Sequence, residues 1–103
     1  MAILEISVVP VGTGGTSLSR YLGGVGRELE RSGLRYEVHP MGTVVEGPLD
    51  ELLALARRMH EAGFSRGVSR VLTRIAIDDR RDTERPMEAK VESFQRAARE
   101  AGP

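Results

Sequence analysis

The length of 103 residues predicts a single domain spanning residues 1–103, because so short a chain cannot form two sizeable cores. Fifteen basic and fifteen acidic side chains cancel, so no long-range attraction to nucleic acid or to an anionic membrane is expected. The absence of cysteine excludes a disulfide framework, a thiolate nucleophile and a zinc–thiolate site, and it fits a reducing cytoplasm as the expected location.

The first segment, residues 2–11, predicts a strand. Apolar side chains alternate there with a mixed set that includes Glu5 and Ser7, and a period of two is typical of a strand with one apolar face. Glu5 also interrupts the apolar run, and neither a basic segment nor a cleavage site accompanies it, so a signal peptide is not expected. No apolar run approaches membrane-spanning length.

A glycine-rich loop at residues 12–17 precedes the first predicted helix, which should end near Ser32 and Gly33. The apolar residues that recur at helical spacing are Leu18, Tyr21, Leu22, Val25 and Leu29. A phosphate-binding loop is one interpretation, because a helix N-terminus attracts anions. The loop lacks lysine, however, and Ser17 takes the last glycine position of the dinucleotide pattern. We therefore favour Ser17 as an ordinary N-cap.

Two short strands, residues 36–41 and 43–46, are predicted to meet at a tight turn where Gly42 can adopt a positive φ. Pro48 suits the first turn of a second helix that runs to about Ala62, with Gly63 as its cap. The residues of this helix that are expected to face the core are Leu49, Leu52, Leu53, Ala56 and Met59.

Strict alternation over residues 70–78 predicts a fourth strand, and residues 86–101 predict a third helix. The inner stripe of this helix should comprise Met87, Val91, Phe94 and Ala98. The order β-α-β-β-α-β plus a C-terminal helix predicts an α+β fold, the ferredoxin-like sandwich on a four-stranded antiparallel sheet. Two helices cover one sheet face in this plan, and the other is left to solvent or to a partner.

The helix-free face of the predicted sheet mixes charged and apolar residues. Glu5 could pair with Arg70 or Arg74 across neighbouring strands, which would make the face a solvated surface held by ion pairs. The same face also carries the apolar residues Ile3, Val9, Leu72 and Ala76. Because these are costly to leave exposed, we favour symmetric association of two copies, with a polar pocket between them for a small ligand.

Catalytic and metal-binding patterns are weak in this chain. His39 and His60 lack the spacing of a metal site. No Ser-His-Asp or Cys-His set can be assembled, and Glu5 with Glu46 makes only a speculative carboxylate pair. We therefore predict no metal, no cofactor and no catalytic residue, while His39, beside the hairpin, could contact a ligand.

Three segments resemble the small thiamine-binding protein family: VPVGTG at residues 9–14 leading into SLSRY at 17–21, PMGTVVEG at 40–47, and TRIAIDDRR at 73–81. The resemblance covers nearly the whole chain. It implies the ferredoxin-like fold, subunits paired through their sheets, and tetramers in some members. It also implies non-catalytic binding of thiamine or its hydroxymethylpyrimidine part, so the expected assembly is a homodimer or homotetramer.

The chemistry of thiamine selects candidate ligand-binding residues within these segments. An aminopyrimidine needs a carboxylate or carbonyl acceptor and a donor, and a cationic thiazolium favours an aromatic face or a carboxylate. Glu46 is the first choice for the aminopyrimidine, and Thr43 could add a hydrogen bond. The other candidates are a ring from Tyr21 or Tyr36, rim contacts from Ser7 and His39, and Arg74, which would orient Glu46 or Glu5 or meet a phosphate.

Two other classes of function stay open at this point. A regulatory or structural module would act through protein contacts and use the sheet face only for self-assembly. A small cofactor-free enzyme could move a proton with His39 and Glu46. We predict a non-catalytic binding protein for thiamine or hydroxymethylpyrimidine, with its pocket near a sheet-to-sheet subunit interface.

Overall fold

The computed structural model describes residues 1–82 and 85–102. Its elements, in chain order, are β1 (Ala2–Val11), a 3₁₀ turn (Ser19–Tyr21), α1 (Gly23–Arg31), β2 (Arg35–His39), β3 (Gly42–Gly47), α2 (Leu49–Ala62), β4 (Arg70–Asp79) and α3 (Met87–Ala101). This order confirms the predicted ferredoxin-like α+β fold with an additional C-terminal helix. Among the described residues, no helix is both long and apolar enough to cross a membrane.

The four strands form one antiparallel sheet in the order β2-β3-β1-β4. β1 is central, and its Leu4 lies opposite Val45 of β3 and Ile77 of β4. Residues that face each other across antiparallel strands point to the same side of the sheet. The even-numbered residues of β1 therefore pack under α1 and α2, where Leu4 and Ile6 are buried, and the odd-numbered residues point away.

The core lies between the sheet and α2, with α1 packed against α2. The fully buried residues of α2 are Leu52, Leu55, Ala56 and Met59. The prediction that Leu53 faces the core is wrong, because Leu53 is 44% exposed and Leu55 takes the inward position. One residue along a helix is a turn of about 100°, so Leu53 lies outside the arc that contacts the sheet.

The first helix is shorter than predicted and is preceded by a separate 3₁₀ turn. Carbonyls of this turn accept hydrogen bonds from the α2–β4 loop, Arg20 O from Arg66 Nε (3.1 Å) and Tyr21 O from Ser65 Oγ (3.0 Å). α1 then begins after Leu22 with no side-chain cap. The interpretation of Ser17 as an N-cap is therefore wrong, and the glycine loop does not open onto an α-helix.

The β2–β3 hairpin turns at Pro40 and Met41, since His39 pairs directly with Gly42. Gly42 does not use the positive φ that the sequence analysis allowed it, because its φ is not among the positive ones. Glycine is needed there for a different reason: a Cβ atom would lie 3.2 Å from the carbonyl oxygen of Ile6 in β1. Gly42 therefore permits the close approach of β3 to β1 at the hairpin end.

α2 and α3 begin one residue later than predicted, and α2 ends where predicted. Pro48 and Pro86 are N-caps with extended backbone rather than first-turn residues. Gly63 is confirmed as the C-cap of α2, with φ −66°. Its glycine identity follows from packing, because an added Cβ would lie 2.9 Å from Val8 Cγ1.

The third helix is confirmed, but its predicted inner stripe is buried only at the N-terminal end. Met87 is buried against the sheet, whereas Val91 is 52% and Phe94 is 76% exposed; Ala98 is exposed as well. The helix leaves the sheet after its first turns, in a molecule whose longest dimension is 50 Å. The apolar stripe of α3 therefore has no covering surface within the described part of one chain.

Candidate functional site

The sheet face opposite α1 and α2 is called the open face below. The register places Glu5 between Val44 and Ala76, Ser7 opposite Arg74, and Arg70 opposite Val11. Arg70 is thus remote from Glu5 along the ladder. No ion pair in residues 1–82 or 85–102 includes Glu5, so the predicted cross-strand pairing of Glu5 with Arg70 or Arg74 is absent from the described part of a single chain.

The N-terminal part of α3 covers one end of the open face and is held there by polar contacts. Arg35 of β2 forms an ion pair with Glu88, and Asp78 of β4 forms one with Lys90. The Met87 N–H also donates a long hydrogen bond to Glu46 Oε2 (3.5 Å). A carboxylate at a helix N-terminus is stabilising, because the free N–H groups there carry partial positive charge.

A cleft of about 220 Å³ lies between α3 and the sheet, and we name it the α3 cleft. Its lining comprises Ile3, Glu37, His39, Val44, Met87, Glu88, Lys90 and Val91. The floor is apolar, and the charged groups stand at the rim, where His39 Nε2 lies 3.3 Å from Glu37 Oε2. This composition suits a flat, partly apolar ring that carries nitrogen donors.

A smaller cavity of about 40 Å³ adjoins the α3 cleft, and Ile3 and Lys90 line both. Its polar lining brings Glu46 and Asp78 together with basic side chains. The Oε2 atom of Glu46 accepts the Met87 N–H, and no partner of Glu46 Oε1 is found in the described residues. This second oxygen is therefore available to a ligand.

Glu88 is a candidate site residue that the sequence reasoning missed. One of its oxygens pairs with Arg35, while Oε2 is buried without a hydrogen-bond partner among the described residues. A buried acceptor without a donor costs about 1–3 kcal/mol, so a ligand N–H at this position would be stabilising. In the sequence Glu88 was only an acidic residue in the first turn of a predicted helix, and nothing signalled its place over the open face.

Two of the predicted site residues, Glu46 and His39, point to the open face from opposite ends of the β2–β3 hairpin, where Glu46 lines the small cavity and His39 lines the α3 cleft. Ser7 and Arg74 face each other further along the same face. Asp78 is the β4 residue that lies in line with Ile3 and Glu46. Arg74 is four residues away from Asp78, which is about 13 Å along a strand. Within one chain Arg74 is therefore too far away to orient Glu46.

The other predicted site residues lie on the helix side of the sheet or beyond it. Thr43 pairs with Ile6 and Val38, and Tyr36 with Val45. Thr43 is three residues from Glu46 on one strand, so their side chains point to opposite faces. Tyr21 belongs to the 3₁₀ turn, where the Arg20 guanidinium lies 5.6 Å from its ring centre.

A second cleft, of about 310 Å³, lies at the tip of the β2–β3 hairpin. Ser7, His39 and Thr43 all contribute to it, together with apolar side chains from the start of α1. Its lining includes β1 residues of both sheet faces, Ile6 and Val8 from the helix side and Ser7 and Val9 from the open face. His39 lines this hairpin cleft as well as the α3 cleft.

The charged segment after β4 is held by its own ion pairs. Arg81 donates to Asp79 (2.9 Å), and this hydrogen bond lowers the pKa of the Asp79 carboxyl. Arg80 binds Asp82 through two hydrogen bonds and likewise lowers the pKa of Asp82. Both carboxylates are therefore ionised at neutral pH and engaged with neighbouring arginines.

Residues 4–95 match the sequence profile of a family described as "Thiamine-binding protein". The chain is 40% identical to UPF0045 protein YqgV of Bacillus subtilis, over 93% of this chain and 96% of that one. It is 44% identical to a UPF0045 protein of Methanothermobacter thermautotrophicus, over 92% and 97% of the two chains.

Solved structures of other proteins have the same fold. A hypothetical protein of Methanocaldococcus jannaschii superposes with a TM-score of 0.82 at 33% identity, over 91% of this chain and 95% of that one. A Thermotoga maritima protein proposed to act in thiamine biosynthesis or salvage superposes with a TM-score of 0.74 at 24% identity, over 90% and 97%. At that identity the second likeness shows the fold alone.

Proposed function

This chain belongs to the thiamine-binding protein family, and from that premise we propose that it binds thiamine or its hydroxymethylpyrimidine part without transforming it. The family supports a small-molecule ligand, and the α3 cleft with its adjoining cavity is the proposed place. The observation that carries this proposal is the unpartnered, buried oxygen of Glu88 above an apolar floor. The aminopyrimidine ring offers the N–H donors that such an oxygen needs.

The proposed ligand matches the site group by group. The pyrimidine ring would rest on the apolar floor formed by Ile3, Val44 and Met87. Its amino group would donate to Glu46 Oε1 or Glu88 Oε2, and charged acceptors make the stronger hydrogen bonds. A thiazolium cation would be favoured near the Glu37 carboxylate at the rim.

Association of copies through the open face is part of the proposal. Val9 and Leu72 are exposed beyond the region that α3 covers, and they lie directly opposite each other in the β1–β4 register. A second copy packed there would bring its own Ser7 and Arg74 close to these residues and enclose a pocket between two sheets. The expected assembly is a homodimer or a homotetramer.

Glu46→Gln tests the assignment of the carboxylate. Isothermal titration calorimetry with thiamine and with hydroxymethylpyrimidine should show binding to the native chain. The variant should bind about 1.5–3 kcal/mol more weakly, the contribution of a hydrogen bond to a charged group. Glutamine keeps an oxygen that can accept the Met87 N–H, so the docking of α3 should survive the substitution.

Glu51→Gln is the matched control, because Glu51 is an exposed residue of α2 on the opposite side of the sheet. Its affinity should equal that of the native chain. Native affinity in Glu46→Gln would remove Glu46 from the site. Absence of any heat or thermal shift with both compounds would overturn the proposed function.

The exposed apolar stripe of α3 favours a second candidate, a module that acts through protein contacts. Phe94 and Val91 would then be covered by a partner protein rather than serve a ligand. Such a module would assemble without any rise in melting temperature when thiamine compounds are added, whereas a ligand that binds the native state raises it by mass action.

A further inference from the structure

Positive charge is concentrated at one end of the molecule, although the chain as a whole is neutral. Residues 6–27 and residues 62–77 contain no aspartate or glutamate, and every charged residue in them is an arginine. The two segments pack together, since β1 pairs with β4 and the α2–β4 loop bonds to the 3₁₀ turn. Arg20, Arg66 and Arg70 therefore lie at the end of the sheet where β1 finishes and β4 begins. We name these three residues the arginine cluster.

The arginine cluster has no carboxylate partner in residues 1–82 and 85–102. Neutral groups hold two of its members instead. Arg66 Nε donates to the carbonyl oxygen of Arg20 (3.1 Å), and the Arg20 guanidinium lies 5.6 Å from the centre of the Tyr21 ring. Both side chains are thus anchored at the 3₁₀ turn while their charges stay uncompensated, and such a region attracts anions.

Arg66 is held in an unfavourable backbone conformation. It is the only residue other than glycine with a positive φ in the described part of the chain (51°), and Gly67 follows with a φ of 78°. A side chain makes the left-handed region costly, and residues kept there against this cost cluster at ligand sites. Glycine at position 66 would avoid the cost, so the strain points to a role for the arginine side chain.

The glycine loop, residues 12–17, presents free backbone N–H groups beside this cluster. Gly12 and Gly14 have φ of 80° and 79°, while the φ of Thr13 between them is not positive. Alternation of this kind turns successive N–H groups toward one side, which forms a concavity for anions. In the described part of the chain, the N–H groups of residues 13–17 donate to no backbone carbonyl. An open depression of about 550 Å³ lies over the loop, with Val9 and Leu18 at its sides.

We infer that the glycine loop, Arg20 and Arg66 form a binding site for a phosphate group. The loop begins directly after Val11, which faces Arg70, and it leads into the 3₁₀ turn that carries Arg20 and accepts Arg66. The loop is therefore bounded by arginines at both ends. Phosphate oxygens accept hydrogen bonds from backbone N–H groups and from the planar guanidinium fork, and these charged hydrogen bonds are the strong ones.

This phosphate site is distinct from the α3 cleft. Val11, where β1 ends, is eight residues from Ile3 in the floor of that cleft, which is about 26 Å along a strand. Both sites can be occupied at once, so neither inference depends on the other. The arginine cluster is confined to one end of a molecule 50 Å long. This suits one or two phosphate groups, whereas the backbone of a nucleic acid needs an extended basic surface.

Isothermal titration calorimetry with inorganic phosphate, inorganic diphosphate and ribose 5-phosphate tests the site. We expect all three to bind the native chain, with diphosphate the tightest because it carries the most charge. Arg20→Gln and Arg66→Gln should each raise the dissociation constant for diphosphate about tenfold, the loss expected for one charged hydrogen bond. Tighter binding of ribose 5-phosphate than of inorganic phosphate would identify a phosphorylated molecule as the ligand. The reverse order would identify the free ion, and either order supports the phosphate site.

Arg57→Gln is the matched control. Arg57 is an exposed arginine of α2 that forms no ion pair in the described residues, so this variant removes the same charge from another place. Its dissociation constant for diphosphate should equal that of the native chain. An equal loss in Arg57→Gln and Arg66→Gln would overturn the inference, because binding would then depend only on total charge.

Arg66→Gly separates binding from folding, since glycine adopts a positive φ without strain. This variant should keep at least the native melting temperature and lose affinity for diphosphate as Arg66→Gln does. Gly14→Ala, at a φ of 79°, should distort the loop and weaken binding, whereas Gly15→Ala should bind as the native chain does. Native affinity in both Arg66→Gly and Gly14→Ala would remove the anion from this site.

NMR spectroscopy locates the bound anion. Diphosphate should shift the amide resonances of residues 12–17 and the Nε–H resonances of Arg20 and Arg66, and it should leave Ile3 and Val44 in the α3 cleft unchanged. Tighter binding of a single-stranded RNA oligonucleotide, with shifts spread over the surface, would overturn the inference in favour of a nucleic-acid surface. Absence of binding by every phosphate compound would also overturn it. None of these probes contains thiamine, so failure of the phosphate site and failure of the proposed function are distinguishable.

Discussion

Leu52→Ala should lower the free energy of unfolding by about 2–5 kcal/mol, the range for truncation of a large buried aliphatic side chain. Leu52 is completely buried between α2 and the sheet, in the cluster that contains Leu4, Ile6 and Val45. Removing its three outer carbons leaves a cavity in the centre of a small core, which a 103-residue chain can compensate only partly. Urea unfolding followed by circular dichroism measures the change.

Leu53→Ala is the control for this substitution, with the same chemistry one residue along the same helix. Because Leu53 keeps 44% of its surface exposed, its truncation should lower the free energy of unfolding by only about 1 kcal/mol or less, well below the loss in Leu52→Ala. Comparable losses in both variants would mean that the inward arc of α2 is not the one described. The pair therefore tests the packing of α2 and not simply the presence of leucine.

Gly63→Val should lower the free energy of unfolding by about 3 kcal/mol, the upper end of the usual cost of overpacking. An added Cβ at this position would lie 2.9 Å from Val8 Cγ1, 3.2 Å from Val71 Cγ1 and 3.1 Å from the His60 carbonyl oxygen. A branched side chain cannot rotate away from contacts on all these sides. Either the end of α2 or the sheet beneath it would have to move.

Gly15→Ala is the matched control, since nothing lies within 4 Å of an added Cβ there and the φ of Gly15 is not positive. This variant should unfold at the native urea midpoint. A native midpoint for Gly63→Val as well would show that the Val8 and Val71 side chains can move aside at little cost.

The fold was predictable because hydrophobic periodicity is a local property. The alternation in residues 70–78 and in β1 depends only on which neighbours are apolar, and both strands are confirmed. The order of elements then left the ferredoxin-like arrangement as the predicted topology. The side of each strand that faces the helices also followed from the alternation, so the residues of the open face were predicted correctly.

The errors in the two predicted helices had different causes. α2 contains leucine at positions 49, 52, 53 and 55, and periodicity cannot decide whether Leu53 or Leu55 completes the inward stripe. The first helix was overextended because the carbonyls of Arg20 and Tyr21 bond to a loop more than forty residues away. Such a contact has no local sequence signal.

The candidate site was predicted only in part. Placing Thr43 with Glu46 on one surface ignored the strand alternation, which separates residues three apart on β3. Assigning Glu46 to the open face was possible from the same rule. The role of Glu88 depends on α3 lying across the sheet end, a packing that the sequence of the helix does not specify.

By itself the amino-acid sequence determined the strands, their order along the chain and the two faces of the sheet. Successive side chains of a strand point to opposite faces, so the spacing of apolar residues shows which face is turned to the core. Only the tertiary structure decided where α3 lies, which carboxylates surround the α3 cleft and which arginines lie beside the glycine loop. These features depend on contacts between segments that are far apart in the chain. The free energy of such a contact is the small difference between one packing arrangement and its competitors, so it is not a property of either segment alone.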